Sequence, residues 1–127
     1  KGDVTQSNRL WHEERNPESI STGAIVGKHL YRANGGPSTI ECLDAESGET
    51  LWTARAASGN YWGSIINAGG NLYVTSCKGT TVVFKPNPKE YEEVAQNVLD
   101  ESSNSTPAFS DGEVFLRTFE HLYCISD

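Results

Sequence analysis

Residues 27–31 read Gly-Lys-His-Leu-Tyr, and the pattern returns as Gly-Gly-Asn-Leu-Tyr at residues 69–73 and as Asp-Gly-Glu-Val-Phe at residues 111–115. Each copy places a turn pair before an apolar residue and an aromatic residue, and the copies are evenly spaced along the chain. A second landmark keeps nearly the same step, since Leu10-Trp11 returns as Leu51-Trp52. Independent landmarks with one period indicate an internal repeat.

Within each repeat the sequence predicts short strands separated by turns. Apolar and polar residues alternate over residues 72–77, 114–118 and 122–125, which is the period of half-buried strands. Gly70 and Gly112 end turn pairs that favour hairpins. Asp44 and Gly48 bound a further turn, because the aspartate can accept backbone N–H groups and the glycine can take the left-handed conformation. About 42 residues and four short strands per unit is typical of a β-propeller blade.

The predicted fold is all-β, a β-propeller segment of about three four-stranded antiparallel blades that opens on an outer strand and ends on a third strand. The predicted strands are residues 9–14, then 22–26, 29–33, 38–44 and 50–56, then 62–67, 71–77, 81–85 and 90–97, and finally 105–109, 113–118 and 121–126. Residues 1–18 are assigned to the outer strand of a preceding blade, 19–58 and 59–101 to complete blades, and 102–127 to the first three strands of another.

Residues 90–98 also fit an amphipathic helix, because apolar residues recur at helical spacing from Tyr91 to Leu99. Val94, however, lies one full repeat after Trp52, where the period requires an outer strand. We predict a strand, because tertiary context overrides local propensity. A helix here would contradict the predicted blade register.

Composition removes several classes of protein. The chain has 127 residues, a net charge of −7 and no methionine, and it begins at Lys1. The negative charge excludes a nucleic-acid surface, and no apolar run is long enough to insert in a membrane. We expect a piece of a longer protein.

Cys42, Cys77 and Cys124 lack the spacing of a zinc site and are expected to be small buried hydrophobes, with their oxidation state left open.

Residues 42–52, Cys-Leu-Asp-Ala-Glu-Ser-Gly-Glu-Thr-Leu-Trp, resemble the PQQ-like repeat of quinoprotein-type propellers. In that family the tryptophan docks between neighbouring blades and the Asp-to-Gly turn links the last two strands. The resemblance therefore implies structural roles for Trp11, Asp44, Gly48 and Trp52, and Val94 stands at the third tryptophan position. Residues 106–125 are similar to PQQ-like proteins of environmental bacteria such as planctomycetes. A bacterial, periplasmic or extracellular location follows from the resemblance.

The same repeat builds both enzymes and scaffolds. Quinone-dependent dehydrogenases of the family carry adjacent cysteines, a calcium site and a catalytic aspartate, and this sequence has no adjacent cysteines. We expect a non-catalytic module for protein or ligand binding, with no evident catalytic, cofactor-binding or metal-binding residue. The alternative is part of a quinone-dependent dehydrogenase, with PQQ and calcium held on other blades. A further alternative is the extracellular sensor domain of a signalling protein.

Two surfaces are expected to bind partners. Asn60, Tyr61 and Trp62 precede an innermost strand at the mouth of the central channel, where aromatic rings can bind a partner, although Trp62 can instead pack between blades. Three blades cannot close a ring, so the open strand edges are expected to pair with a protein partner or a second copy of the chain. His12, His29 and His121 are expected at the surface or in turns.

Overall fold

The computed structural model describes residues 2–14 and 19–126, and all of its regular elements in this range are strands. The strands are β1 (Ala24–Val26), β2 (His29–Asn34), β3 (Thr39–Asp44), β4 (Thr50–Ala54), β5 (Ile66–Ala68), β6 (Asn71–Thr75), β7 (Thr80–Phe84), β8 (Glu93–Val98), β9 (Ala108–Ser110), β10 (Glu113–Arg117) and β11 (Leu122–Ile125). No helix in the described range is long and apolar enough to cross a membrane.

The strands form three antiparallel sheets in which neighbours in sequence are neighbours in space. The first sheet is β1–β4, the middle sheet is β5–β8 and the last sheet is β9–β11. The innermost strands begin at Ala24, Ile66 and Ala108, so the sheets recur at the same even spacing as the sequence landmarks. This confirms the predicted all-β propeller segment.

Glycine conformations at the hairpins follow from the turn chemistry. Gly70 is the last residue of the turn between β5 and β6, and Gly112 is the last residue of the turn between β9 and β10. Their φ angles are +78° and +85°. A side chain is strained at such angles, whereas glycine adopts them freely. The turn pairs read from the sequence therefore lie where the chain reverses.

Residues 9–14 are not a strand, which corrects one expected element. A strand requires a hydrogen-bonded neighbour, and none of the three sheets places one beside these residues. Residues 1 and 15–18 of the same assigned segment lie outside the described residues.

The innermost strands are shorter than predicted, and in the first and middle sheets a residue before the strand bonds to the next sheet instead. The backbone N–H of Thr22 donates to Ser64 Oγ at 2.9 Å, and that of Ser64 donates to Thr106 Oγ1 at 2.8 Å. An N–H used in this way is not available to a strand ladder. Regular pairing therefore starts only at β1 and β5, and pairing of β9 starts after Pro107, which has no N–H to donate.

Strand β8 replaces the alternative helix at residues 93–98, but its register differs from the expected one. Cys42 pairs with Trp52, and the residue that pairs in the same way with Val83 is Ala95. Val94 is the extra residue of a β-bulge. The connection before β8 spans residues 85–92 and the connection before β4 only residues 45–49, and this longer loop moves the outer strand past the position that a constant step gives. The third tryptophan position is therefore Ala95.

The main core lies between the first and middle sheets. Alternate residues of each strand point to the same face of its sheet. The apolar residues on one face of β2 and β3 pack against those on the facing side of β6 and β7. All members of this core are at most 3% exposed: Tyr31, Ala33, Ile40, Cys42, Tyr61, Ile65, Leu72, Val74, Val82 and Phe84. Burial of this apolar area is the main stabilising force between the two sheets.

The indole of Trp52 joins the first sheet to the middle one. Its ring lies 6.1 Å from Tyr31 and 5.9 Å from Tyr91, and its Nε1–H donates to the carbonyl oxygen of Asn87 at 2.9 Å. Trp11 makes the same contact one sheet earlier, where its Nε1–H donates to the carbonyl oxygen of Ala45 at 3.0 Å.

Gly48 is required by the Trp11 contact. A Cβ atom at Gly48 would lie 2.6 Å from the indole ring, and φ there is +78°. The turn is held by Asp44, whose Oδ1 accepts the backbone N–H groups of Glu46 and Ser47 at 3.0 and 2.8 Å. The bond from the Ser47 N–H is the largest cause of the lowered pKa of Asp44, because it favours the charged carboxylate.

We predict that Trp52→Ala destabilises the fold by about 3 kcal/mol, because truncation removes a large ring and leaves a cavity between two sheets. Equilibrium unfolding in urea measures the change. The control is Leu51→Ala on the neighbouring bulge residue, which is 41% exposed. The control should cost less than about 1 kcal/mol. Equal losses for the two variants would contradict the docking role.

Candidate functional site

One end of the three sheets, which we call the loop rim, gathers two kinds of connection. The residues that lead into β1, β5 and β9 meet there with the β2–β3, β6–β7 and β10–β11 hairpins, because antiparallel order brings these strand ends together. The N–H of Cys77 donates to the carbonyl oxygen of Asn60 at 2.7 Å, and Phe119 donates to Ser102 at 3.0 Å in the same arrangement one repeat later. The rim is thus a repeated backbone structure.

Serine hydroxyls donate hydrogen bonds to backbone carbonyl groups at the rim of the first and last sheets. Ser19 and Ser21 both donate to the carbonyl oxygen of Ala33, at 3.0 and 2.8 Å. In the last sheet Ser103 and Ser105 both donate to the carbonyl oxygen of Arg117 at 2.6 Å. The middle sheet carries Tyr61 and Gly63 at these two positions instead.

Tyr61 is buried, which corrects its expected role at an exposed surface. The side chain is 0% exposed and belongs to the main core, and its hydroxyl accepts the backbone N–H of Ala57 at 3.0 Å. Burial raises the pKa of Tyr61, because the ionised phenol would lose its hydration. Its position faces the gap between two sheets, so the ring fills that gap.

Asn60 and Trp62 lie on either side of this buried ring. The Asn60 side-chain oxygen accepts the Ser38 hydroxyl at 2.8 Å, which ties the loop to the first sheet. Trp62 is half-buried, and the residues at the same position of the other two repeats, Ile20 and Asn104, are exposed, with Ile20 at 81%. Trp62 and Ile20 therefore offer apolar surface at the rim, with Asn60 as a positioning residue.

A polar cluster around Glu101, which the sequence reasoning missed, occupies the rim of the last sheet. Glu101 Oε2 accepts the Thr118 hydroxyl at 2.6 Å, and Oε1 accepts the Tyr123 hydroxyl at 2.6 Å. His121 Nδ1 lies 3.0 Å from Oε1. The donors lower the pKa of Glu101, with the Thr118 hydroxyl bond the largest cause. The sequence feature that could have indicated this cluster is the presence of an acid, Glu101, and a histidine, His121, in two loops that the repeat places at the same rim.

His121 is largely exposed, as expected of a turn histidine, with a side-chain exposure of 61%. Together with Glu101 and Glu120 it forms a group whose ligand atoms lie within 4.8 Å of one another. The calcium site of quinone-dependent dehydrogenases requires six to eight oxygen ligands. Glu101 already accepts three donors, and His121 offers nitrogen, so this group does not fit such a site.

The cysteines differ in burial, which corrects the expectation that all three are buried. Cys42 is buried in the main core, Cys77 is half-buried and Cys124 is exposed on β11. Burial raises the pKa of Cys42 because it disfavours the thiolate. Cys124 is exposed because β11 lies at the edge of the last sheet.

Comparison with known proteins gives one family and a set of similar folds. A family model described as outer membrane protein assembly factor BamB matches residues 36–126. No curated protein matches the chain. Among solved structures, the crystal structure of BamB from Moraxella catarrhalis is 17% identical with a TM-score of 0.74, covering 92% of this chain and 36% of that chain. A europium-containing methanol dehydrogenase is 16% identical with a TM-score of 0.62, covering 77% of this chain and 20% of that chain. At these identities the structures establish the fold, and the chain spans only part of each.

We predict that Glu101→Gln destabilises the protein at neutral pH, and that the difference from wild type disappears as the pH falls. A carboxyl whose folded pKa is lowered contributes stability above its unfolded value, about 4.5, and loses it below. Urea unfolding between pH 3 and pH 7 measures this difference. The control is Glu113→Gln, which neutralises a carboxylate that accepts none of the donors around Glu101. A difference from wild type that is independent of pH would contradict a role for the charge.

Proposed function

The chain belongs to the PQQ-like β-propeller repeat family whose model is described as outer membrane protein assembly factor BamB, and we propose that it is a non-catalytic scaffold that binds protein through its open strand edges and loop rim. An outer-membrane assembly factor points to the periplasmic side of a bacterial envelope, which is the location we propose here. The remaining support comes from the exposed edge of the last sheet.

The exposure of β11 is the observation that carries this proposal. In the first and middle sheets the third strand is buried. Ile40 on β3 and Thr81 on β7 occupy the same position of the repeat, and they are 0% and 8% exposed. Leu122, at the same position of β11, is 72% exposed, and Ile125 is 44% exposed. The outer edge of β11 pairs with no described strand. Unpaired backbone groups beside apolar side chains favour the addition of a strand.

The segment around Trp11 is the matching half of such an interface. Trp11 contacts the turn at Ala45 as Trp52 contacts Asn87, so residues 9–14 lie where the outer strand of a preceding sheet belongs. Leu10 beside it is 80% exposed. Strand β11 is a third strand without an outer neighbour, and residues 9–14 are an outer segment without a third strand. The two are therefore complementary.

We therefore propose a second copy of the chain as the partner that completes the last sheet. By the register of β3 with β4, Cys124 of one copy would lie opposite Trp11 of the other. Two copies joined head to tail at both ends give six sheets, and propellers close with about four to eight. The same edges would take equivalent strands of a longer polypeptide.

We predict that Leu122→Lys weakens self-association at least about tenfold, because a charge at a strand edge opposes pairing. Sedimentation velocity over a range of protein concentrations measures the change. Val94→Lys is the matched control, since it puts the same charge on the outer strand of the middle sheet, where the side chain is 48% exposed. A folded wild-type chain that stays monomeric at all concentrations would contradict the proposal of a second copy.

The loop rim is the second proposed binding surface, with Trp62 as its anchor. We predict that extended peptides selected for binding to the wild-type protein bind Trp62→Ala at least about tenfold more weakly, because aromatic anchors dominate interface energies. Isothermal calorimetry measures the affinities, and Asn104→Ala at the equivalent position of the last sheet is the control. Unchanged affinity for a folded Trp62→Ala variant would remove Trp62 from the interface.

A further inference from the structure

A cavity of about 280 Å³ lies between the middle and last sheets. Its lining residues come from both sheets and are mostly apolar: Tyr73, Thr81, Asn97, Leu99, Pro107, Val114, Leu116 and Ile125. The corresponding space between the first and middle sheets is filled by the main core. Two interfaces built from the same repeat therefore differ in how completely they are packed.

The difference comes from three positions at which an aromatic residue is replaced by a smaller one. Trp52, Tyr61 and Phe84 serve the interface between the first and middle sheets, where each belongs to the main core or packs against it. The repeat and the strand registers place Ala95, Ser103 and Ile125 at the equivalent positions of the next interface. Each replacement removes a ring from the space between the sheets.

Strand β8 directs its small residue towards the cavity. Residues 95, 97 and 99 lie on one face of the chain as it leaves the strand, and Asn97 and Leu99 line the cavity. Ala95 is half-buried on this face. The first sheet fills the matching position with Trp52, whose ring reaches across the gap between sheets to Tyr91.

Two polar side chains on the lining, Thr81 and Asn97, offer hydrogen bonds to a ligand. The Thr81 hydroxyl pairs with the Thr75 hydroxyl at 2.8 Å, and the Asn97 side chain is exposed at the end of β8. Ligand sites commonly combine an apolar wall with a few polar groups that orient the bound molecule. An engineered apolar cavity of about 150 Å³ binds benzene, so this larger space has room for a two-ring aromatic molecule.

We propose that this cavity binds a small planar aromatic molecule of the indole class, with its rings between Tyr73 and Leu116 and its polar group towards Asn97. The same space one sheet earlier is occupied by an indole ring that the chain supplies itself, at Trp52. The proposed ligand replaces the ring that Ala95 no longer provides. This site is separate from the loop rim, and on β11 it involves Ile125, whose side chain points to the opposite face of the sheet from Leu122. It does not rest on the proposed scaffold function.

The direct test is titration of the full chain with free indole, followed by ¹H–¹⁵N and methyl NMR spectra. We expect saturable shifts that centre on Val114, Leu116 and Ile125, with nuclear Overhauser effects from the indole protons to these methyl groups. The absence of saturable shifts, or shifts centred elsewhere, would overturn the proposal. This readout requires no variant.

Filling the cavity gives the second test. Ala95→Trp restores the residue of the first sheet and should weaken indole binding at least about tenfold while raising the unfolding temperature. Val94→Trp adds the same ring at the neighbouring bulge position and should leave the affinity for indole unchanged. Binding that survives in a folded Ala95→Trp variant would contradict the assigned cavity.

N-acetyltryptophanamide distinguishes a free ligand from a tryptophan side chain on a peptide. We expect this amide to bind more weakly than indole, because placing its polar backbone groups against the mostly apolar lining costs free energy. Tighter binding of the amide would overturn the assignment to a free small molecule. Because Leu122 lies outside the cavity lining, the Leu122→Lys variant should bind indole as wild type does, so the two proposals fail separately.

Discussion

The packing of the first and middle sheets depends on an indole ring that the preceding outer segment places on each of them. The Nε1–H groups of Trp11 and Trp52 donate to Ala45 and Asn87 at nearly the same distance, 3.0 and 2.9 Å, although they belong to different repeats. The contact connects one sheet to the turn before the last strand of the next, and that turn must be shaped to receive it. The acceptance of backbone N–H groups by Asp44 and the missing side chain at Gly48 are local consequences of this long-range contact.

Where the indole is absent, the space between two sheets contains a cavity instead of a continuous core. The first and middle sheets share a continuous core that includes Tyr31, Tyr61 and Phe84, all 0% exposed. The middle and last sheets meet around a cavity instead. Both interfaces are built on the same backbone, since hydrogen bonds within each sheet do not depend on the side chains between sheets. A repeat can therefore keep its fold while individual interfaces become free to bind other molecules.

The loop rim illustrates how far residue patterns reach. Position 61 carries tyrosine where the other two sheets carry serine, and a polar loop with two aromatic residues predicts an exposed binding surface. Tyr61 instead points between sheets, because its position faces the gap that only the folded assembly creates. Trp62, next to it, keeps part of its surface exposed. The Glu101 cluster was out of reach for a related reason, since Thr118, His121 and Tyr123 surround the carboxylate only after β10 and β11 pair.

The order and approximate limits of the paired strands follow from the sequence by itself, because alternation and turn chemistry are local and recur in every repeat, whereas the expected outer strand at residues 9–14 does not form. The register at β8 does not follow from it. A longer connection and a bulge put Ala95 rather than Val94 opposite Val83, and no local pattern records that shift. Only the tertiary structure decided which side chains share each space between sheets, because every such space is lined by residues from separate strands and loops that come together only on folding.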